Sequence, residues 1–442
     1  MGLNATAQNV PPYPDAITSQ QFYAKTPMAP PPINRVFADP DFGSLMVRVT
    51  DEHTNPDRPS SYFLSPPSVS NAWSADNRKF YVDGAGAATL AFAFDPATMT
   101  VGPLPGAGAG GAMFVPLRPG PTFSFVDPDS MYGTAPEAPL SIATYRFATG
   151  KTELLFDTTT CGTHPVMVAG PKVTSSDLSI SADDNRIQIS AGGPSGGAHP
   201  FIIVIDQKLG CRWYNTETGE IGGQWGPRGP VSTPDRFPIN HARISGNGQY
   251  ARIERGQSKP GFYVWEIDSL KVSICEDHGD LHCGGYGALG YDAYINAPGN
   301  LDQLNAYRRP LGDLAAWTPL LEPELLPQYF GMEKNWAWNN GRLDSSAPVC
   351  ATTYSPSGSM EVRRAYDGEI ICVETDGLAS TIWRFAHNRQ VWDPEYWWTK
   401  PKGSLSYDGR WFAFTSTWDG QLGTVEPDSD DPRTDVWIIK LE

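Results

Sequence analysis

Hydrophobic and polar positions along this chain fall into short alternating runs of strand length rather than into helical stripes. The clearest unit is Lys400-Pro401-Lys402-Gly403-Ser404-Leu405-Ser406-Tyr407-Asp408-Gly409-Arg410-Trp411-Phe412-Ala413-Phe414-Thr415-Ser416. A run leads into Ser-x-Asp-Gly, and a second run follows in which apolar and polar residues alternate. Period-2 alternation buries one face of a strand, and Asp-Gly permits the positive-φ backbone of a tight turn, so the unit predicts strand-turn-strand. Weaker copies of the turn stand at 74–78, 181–186, 245–249 and 355–359.

Around these turns the strand-like segments group into seven units, the last ending in Asp435-Val436-Trp437-Ile438-Ile439-Lys440-Leu441. Self-similarity at about 40 to 60 residues with about four strands per unit is the signature of a β-propeller. The last unit supplies only three obvious strands, so the strand at 44–51 is expected to complete it and close the ring. Closure removes the free sheet edges on which other chains would pair. Residues 1–43, with Pro11-Pro12, Pro14 and Pro30-Pro31-Pro32, read as an extended arm, and 44–442 as a single propeller domain.

The Ser-x-Asp-Gly-Arg/Lys turns, clearest at Ser406-Tyr407-Asp408-Gly409-Arg410, resemble the repeats of TolB-type and WD40-like propellers and the blades of the seven-bladed oligogalacturonate lyases. The resemblance covers most of 44–442 and implies the fold. It rests on a structural turn, which enzymes, scaffolds and binding modules share.

Composition narrows the partners. A net charge of −16 with no Lys/Arg stripe disfavours nucleic acid and anionic membranes, which draw their affinity from clustered cations. No run approaches the ~20 apolar residues of a membrane span; Phe201-Ile202-Ile203-Val204-Ile205 has strand length. Met1-Gly2-Leu3-Asn4-Ala5-Thr6 lacks the pattern of a signal peptide. Six cysteines are an even number: Cys350 and Cys372 sit in successive predicted strands, Cys275 and Cys283 flank one turn, and Cys161 and Cys211 complete the set. Their connectivity stays open, as does the reading of six separate thiols; bridges would mean an oxidising, extracellular or periplasmic location. The alternative is a cytoplasmic protein or a component of an assembled particle.

In a propeller the residues leading into each innermost strand rim one face. Seven residues before Gly248 stands His241, and the same offset gives Ser70, Asp177, Lys402 and Tyr286 in other units. His241, Asp177, Tyr286 and Lys402 would bring acid, base and cation to one concavity, as general acid/base chemistry requires. His241, His282 and His387, joined by Gln390, form a candidate site for a divalent metal, with imidazole suiting Zn or Mn. The resemblance implies a His-rich metal cluster with a Gln and a separate His base; the lyases' Gln-x-x-His-x-His spacing is absent, and His387-x-x-Gln390 is the nearest match. The acidic run Asp428-Ser429-Asp430-Asp431 offers oxygen ligands for Ca, or is a solvated loop. Trp392, Tyr396, Trp397 and Trp398, with Trp336 and Trp338, are candidate sugar-stacking surfaces, and Arg389 a partner for a sugar carboxylate.

Two motif matches are set aside. Gly193-Pro194-Ser195-Gly196-Gly197 has no helix after it to make a nucleophile elbow. Gly106-Ala107-Gly108-Ala109-Gly110-Gly111 lacks a βαβ context. Three readings follow: a secreted lyase acting on uronic-acid-containing polysaccharide or oligosaccharide, a non-catalytic glycan- or protein-binding propeller, and a structural subunit that self-assembles through its N-terminal arm.

Overall fold

The computed structural model describes residues 13–55, 61–64, 71–84, 88–161, 175–192, 200–232, 236–255, 261–276, 283, 287–296, 307–320, 333–337, 345–354, 365–375, 381–393, 395–426 and 429–442. Seven antiparallel sheets stand in a ring, so the expected seven-bladed propeller is what the chain forms. Each blade starts with its innermost strand: Tyr62–Phe63, Arg118–Phe123, Ser175–Ile180, Ile239–Ile244, Ala288–Leu289, Glu333–Ala337 and Gly403–Leu405 for blades one to seven. Blade three is widened to six strands by Glu220–Gly223 and Gly229–Pro230.

The ring closes as the alternation predicts. Leu45–Arg48 pairs with Asp435–Lys440, Met46 opposite Ile439, so the two ends of the chain share blade seven. Arg48 and Arg433 converge on the buried carboxylate of Asp435, which also accepts from Thr50 Oγ1 at 3.1 Å. Burial pushes the Asp435 carboxyl up, and the two guanidinium groups hold it back.

The Ser-x-Asp turn repeats with constant chemistry. Ser74, Ser181, Ser245 and Ser406 each donate from Oγ to the side chain two residues on, at 2.6–2.7 Å. Each hydroxyl also accepts the amide five residues on, at 2.9–3.1 Å. The residue three after the Ser lies in the left-handed region: Asn77, Asp184, Gly248 and Gly409, at φ of 58–76°. Gly, Asn and Asp are the residues that tolerate this backbone, which is why the motif reads clearly in sequence. Asp184 also ties blades two and three together, accepting from Ser124 Oγ, Phe125 N and Tyr132 Oη, and burial pushes its carboxyl up to about 6.

Apolar residues fill the spaces between neighbouring blades. Trp73, Phe80 and Phe94 of blade one meet Trp411 of blade seven, the last pair at 5.0 Å between ring centroids. Three disulfides pair all six cysteines: Cys161–Cys211, Cys275–Cys283 and Cys350–Cys372. Such pairing is consistent with an oxidising compartment. Among the described residues, no helix is long and apolar enough to cross a membrane.

The arm is described from Tyr13 onward and lies against its own ring. Tyr13 is buried edge-on to Trp383 and Phe385, and its hydroxyl donates to Gly409 O at 3.0 Å. Ile17 bridges Arg384, Trp418 Nε1 donates to Met28 O at 2.9 Å, and Val36–Ala38 adds an outermost strand beside Leu45–Arg48. The arm thus covers strand edges of blades six and seven that would otherwise be open.

Candidate functional site

The innermost strands end in the Ser-x-Asp turns, so their lead-in ends lie on the opposite face, together with the far ends of the second strands. Several innermost strands are irregular there. Pairing registers shift between Arg118 and Thr122, between Ser176 and Ser179, and between Ile239 and His241. Such bulges re-aim side chains and are common at the rims of active sites.

His241 is the third residue of its innermost strand, half-buried, with Glu254 as its cross-strand partner. Arg243 and Arg252 form the next pair on the same face, and Arg252 lies 3.5 Å from Glu254. Offset counting found His241 but not Glu254 or Arg252, because a partner on the second strand is fixed by register. Asp177 falls inside the irregular part of the innermost strand of blade three; only its backbone is described.

Lys402 stands just before the innermost strand of blade seven and is 3% exposed. Its Nζ lies 4.6 Å from the Phe63 ring centroid on blade one. Burial brings the amine down to about 7, against the pull of Asp83, while the Lys400 charge adds to the lowering. Asp83 is the cross-strand partner of Phe63 and accepts from Thr89 Oγ1 at 3.4 Å. A lysine poised near neutrality in a partly apolar site is the state expected of an amine that exchanges a proton or receives an anion.

The segment 388–402 leads to Lys402 and carries the aromatic group. Trp392 meets Tyr354 edge-on at 5.3 Å, and Lys400 Nζ lies 5.7 Å from the Tyr354 ring. Tyr396 and Trp398 are 5.1 Å apart, with Trp398 Nε1 donating to Pro432 O at 3.2 Å. Trp392, Tyr396 and Trp398 are all half-buried. Gln390 anchors the segment, donating to Val391 O and Thr399 O and accepting from Thr417 N. Trp397 begins a short 3-10 turn and Trp336 lies on the innermost strand of blade six, both described by backbone alone. Tyr286, His282, Trp338 and Asp428 lie outside the described residues.

His387 and Arg389 sit elsewhere, on the outer side of blades six and seven beneath the arm. His387 ends the outermost strand of blade six, buried, 3.6 Å from Asp41 and edge-on to Phe42 at 5.1 Å. Burial pushes its imidazole down to about 4. The Arg389 guanidinium is 3.2 Å from Asp419, donates to Thr26 O at 2.9 Å and lies over Trp418. His387 and His241 are therefore not brought together, since one closes the outer edge of blade six and the other opens the inner edge of blade four. Among the described residues no three His, Cys, Asp or Glu converge as metal ligands must.

No family model matches the sequence, and no curated protein is matched by it. Solved structures are matched by shape. An oligogalacturonate lyase from Vibrio parahaemolyticus aligns over 92% of this chain and 96% of its own, with a TM-score of 0.54 and 11% identity. An oligogalacturonate lyase in complex with manganese aligns over 94% of this chain and 98% of its own, with a TM-score of 0.54 and 13% identity. At such identity the likeness establishes the shared propeller fold.

Proposed function

We propose that this propeller is an exported carbohydrate-active protein, a lyase that cleaves uronic-acid-containing polysaccharide or oligosaccharide on its lead-in face. The observation that carries the reading is Lys402, a buried amine near neutrality at the end of the segment that carries Trp392, Tyr396 and Trp398. Flat rings stack on sugar faces. A uronate carboxylate arriving beside Lys402 would raise the amine's proton affinity and convert it into a charged clamp. The fold it shares with the two lyases is compatible with the reading.

In this scheme His241 removes the proton on the carbon α to the carboxylate. The electron pair of that C–H bond forms the new C=C bond as the β carbon–oxygen glycosidic bond breaks. Tyr286 protonates the departing oxygen. Lys402 neutralises the carboxylate as negative charge moves onto it, and Asp177 orients the groups at the rim. No step is routed through a metal.

Incubation with polyuronides should give the ultraviolet absorbance of an unsaturated product, and Lys402→Ala should lower turnover by about 100-fold. Activity that survives prolonged chelation would set aside the divalent-metal expectation. A chain that binds uronides on a glycan array yet yields no unsaturated product would be the non-catalytic glycan-binding propeller, a reading the aromatic segment also favours.

A further inference from the structure

Between blades four and five lie two arginines that the scheme above does not use. Arg252 is on the second strand of blade four, and Arg309 on the third strand of blade five, Tyr307–Pro310. They are 3% and 1% exposed. The Arg252 guanidinium lies 4.1 Å from the centroid of Tyr294 and 4.8 Å from that of Phe262. Tyr294 is on blade five, 5.0 Å from Phe262 of blade four, so its ring spans the crevice. Arg309 is the cross-strand partner of Tyr294, which places both side chains on the same face of their sheet. Its NH1 donates to Leu314 O at 3.0 Å, and Leu314 packs against the same inter-blade cluster. Neighbouring Arg308 points the other way, to Thr375 O of blade six.

Both guanidinium groups retain unused donors. Arg252 Nε and NH2, and Arg309 Nε and NH2, are buried without a hydrogen-bond partner among the described residues. Among the described residues Arg252 has only Glu254 in ion-pair range, at 3.5 Å from NH1, and no carboxylate is in range of Arg309. Arginine does not relieve burial by losing its proton, so a buried, unmatched guanidinium demands an acceptor. Phe262, Leu311 and Leu314 pack beside the two guanidinium groups, and buried Arg243, the cross-strand partner of Arg252, adds a third positive charge near Tyr294. A small monovalent anion meets these requirements, because it supplies charge and accepts several N–H bonds without needing partners of its own.

We propose that a halide-class anion, chloride, binds between blades four and five, held by Arg252 and Arg309 on either side of Tyr294. It lies on the second strand of blade four and the third of blade five, and acts as an inorganic staple between neighbouring blades.

The test is thermal unfolding of the full chain in sodium chloride against sodium methanesulfonate at equal ionic strength, with diffraction from crystals soaked in bromide. Chloride should raise Tm saturably by about 2–4 °C, as ligand linkage requires. Bromide should give an anomalous peak between the two guanidinium groups. Arg309→Met should abolish the chloride-specific shift, and Arg309→Lys should retain part of it. The bromide soak uses the unmodified protein and so does not depend on the variants folding. Equal Tm in the two salts with no peak at saturating bromide, the outcome for water alone in the crevice, overturns the proposal.

Discussion

Arginine is buried in two different ways in this ring. On the arm side of blades six and seven, Arg384 is 0% exposed and meets Glu369, also 0% exposed, at 2.6 Å. Its remaining donors go to Ser19 O and Gln21 O of the arm, at 2.6 and 2.7 Å. Arg389 beside it is ion-paired with Asp419. Between blades four and five, Arg252 and Arg309 are as deeply buried, yet each keeps two nitrogens without an acceptor. The Arg384–Glu369 pair is satisfied within the chain and reads as a clasp. The second arrangement is complete only with something added, and it reads as a binding site.

The largest effect should come from unbalancing the clasp. Glu369→Ala leaves Arg384 buried and unpaired and should cost about 3–5 kcal/mol in urea unfolding. Limited proteolysis should then release the arm, and a loss below about 1 kcal/mol would erase the contrast.

Acid should act on the same side through two opposed groups. His387 titrates at about 4 in the folded chain against 6.5 ordinarily. The stability it contributes is present above 6.5 and is lost as pH falls through 4, worth roughly 3 kcal/mol at full expression. It faces Asp41, which favours its charged form, and Arg389, Lys25 and Arg384, which oppose it. Asp39 is raised by burial from 3.8 to about 6, so its contribution is present below 3.8 and lost as pH rises through 6. The two nearly offset between pH 4 and 6. His387→Asn should therefore become more stable than the parent as the solution is acidified, and Asp39→Asn less stable. Parallel unfolding profiles for all three proteins would contradict the assignment.

A smaller change is expected at the open site. Replacing an unmatched buried guanidinium by an apolar chain of similar length is often neutral, so Arg309→Met in chloride-free buffer should stay within about 1 kcal/mol of the parent. Arg384→Met should fall well below it, because that change strands Glu369. Smallest of all, Trp392→Ala should leave unfolding almost unchanged and weaken uronide binding about fivefold, measured by titration calorimetry.

The blades were legible because their signal is local. A Ser hydroxyl, an Asp carboxylate two residues on and a left-handed residue after it complete a turn within six positions, at Ser406 as at Ser181. Closure was legible too, since the last unit lacked a strand that 44–51 could supply. The docking of the arm was not, because Tyr13, Ile17 and Met28 find their partners only across the folded ring. Nor was the pairing of Cys161 with Cys211, 50 residues apart and joining the 3-10 turn after blade two's last strand to blade three's fourth strand. Offset counting reached Lys402 and His241 because both stand at a fixed distance from a turn. Arg252 and Arg309 were passed over because they sit in alternating strands, where a buried arginine and a solvated one look the same.

The seam between Leu45–Arg48 and Asp435–Lys440 also sets a timetable. The earlier strand is made before the six blades that follow it, and its partner only after them. During synthesis the early strand has only Val36–Ala38 to pair with while six blades assemble beyond it. The disulfides span separations of only 50, 8 and 22 residues, so none shortens that wait. Joining segments so far apart carries a large loop-closure cost and should make sealing the slow step of folding. A circularly permuted gene that opens the chain between two other blades would leave only the arm between the two strands of this seam, and should fold faster to the same ring.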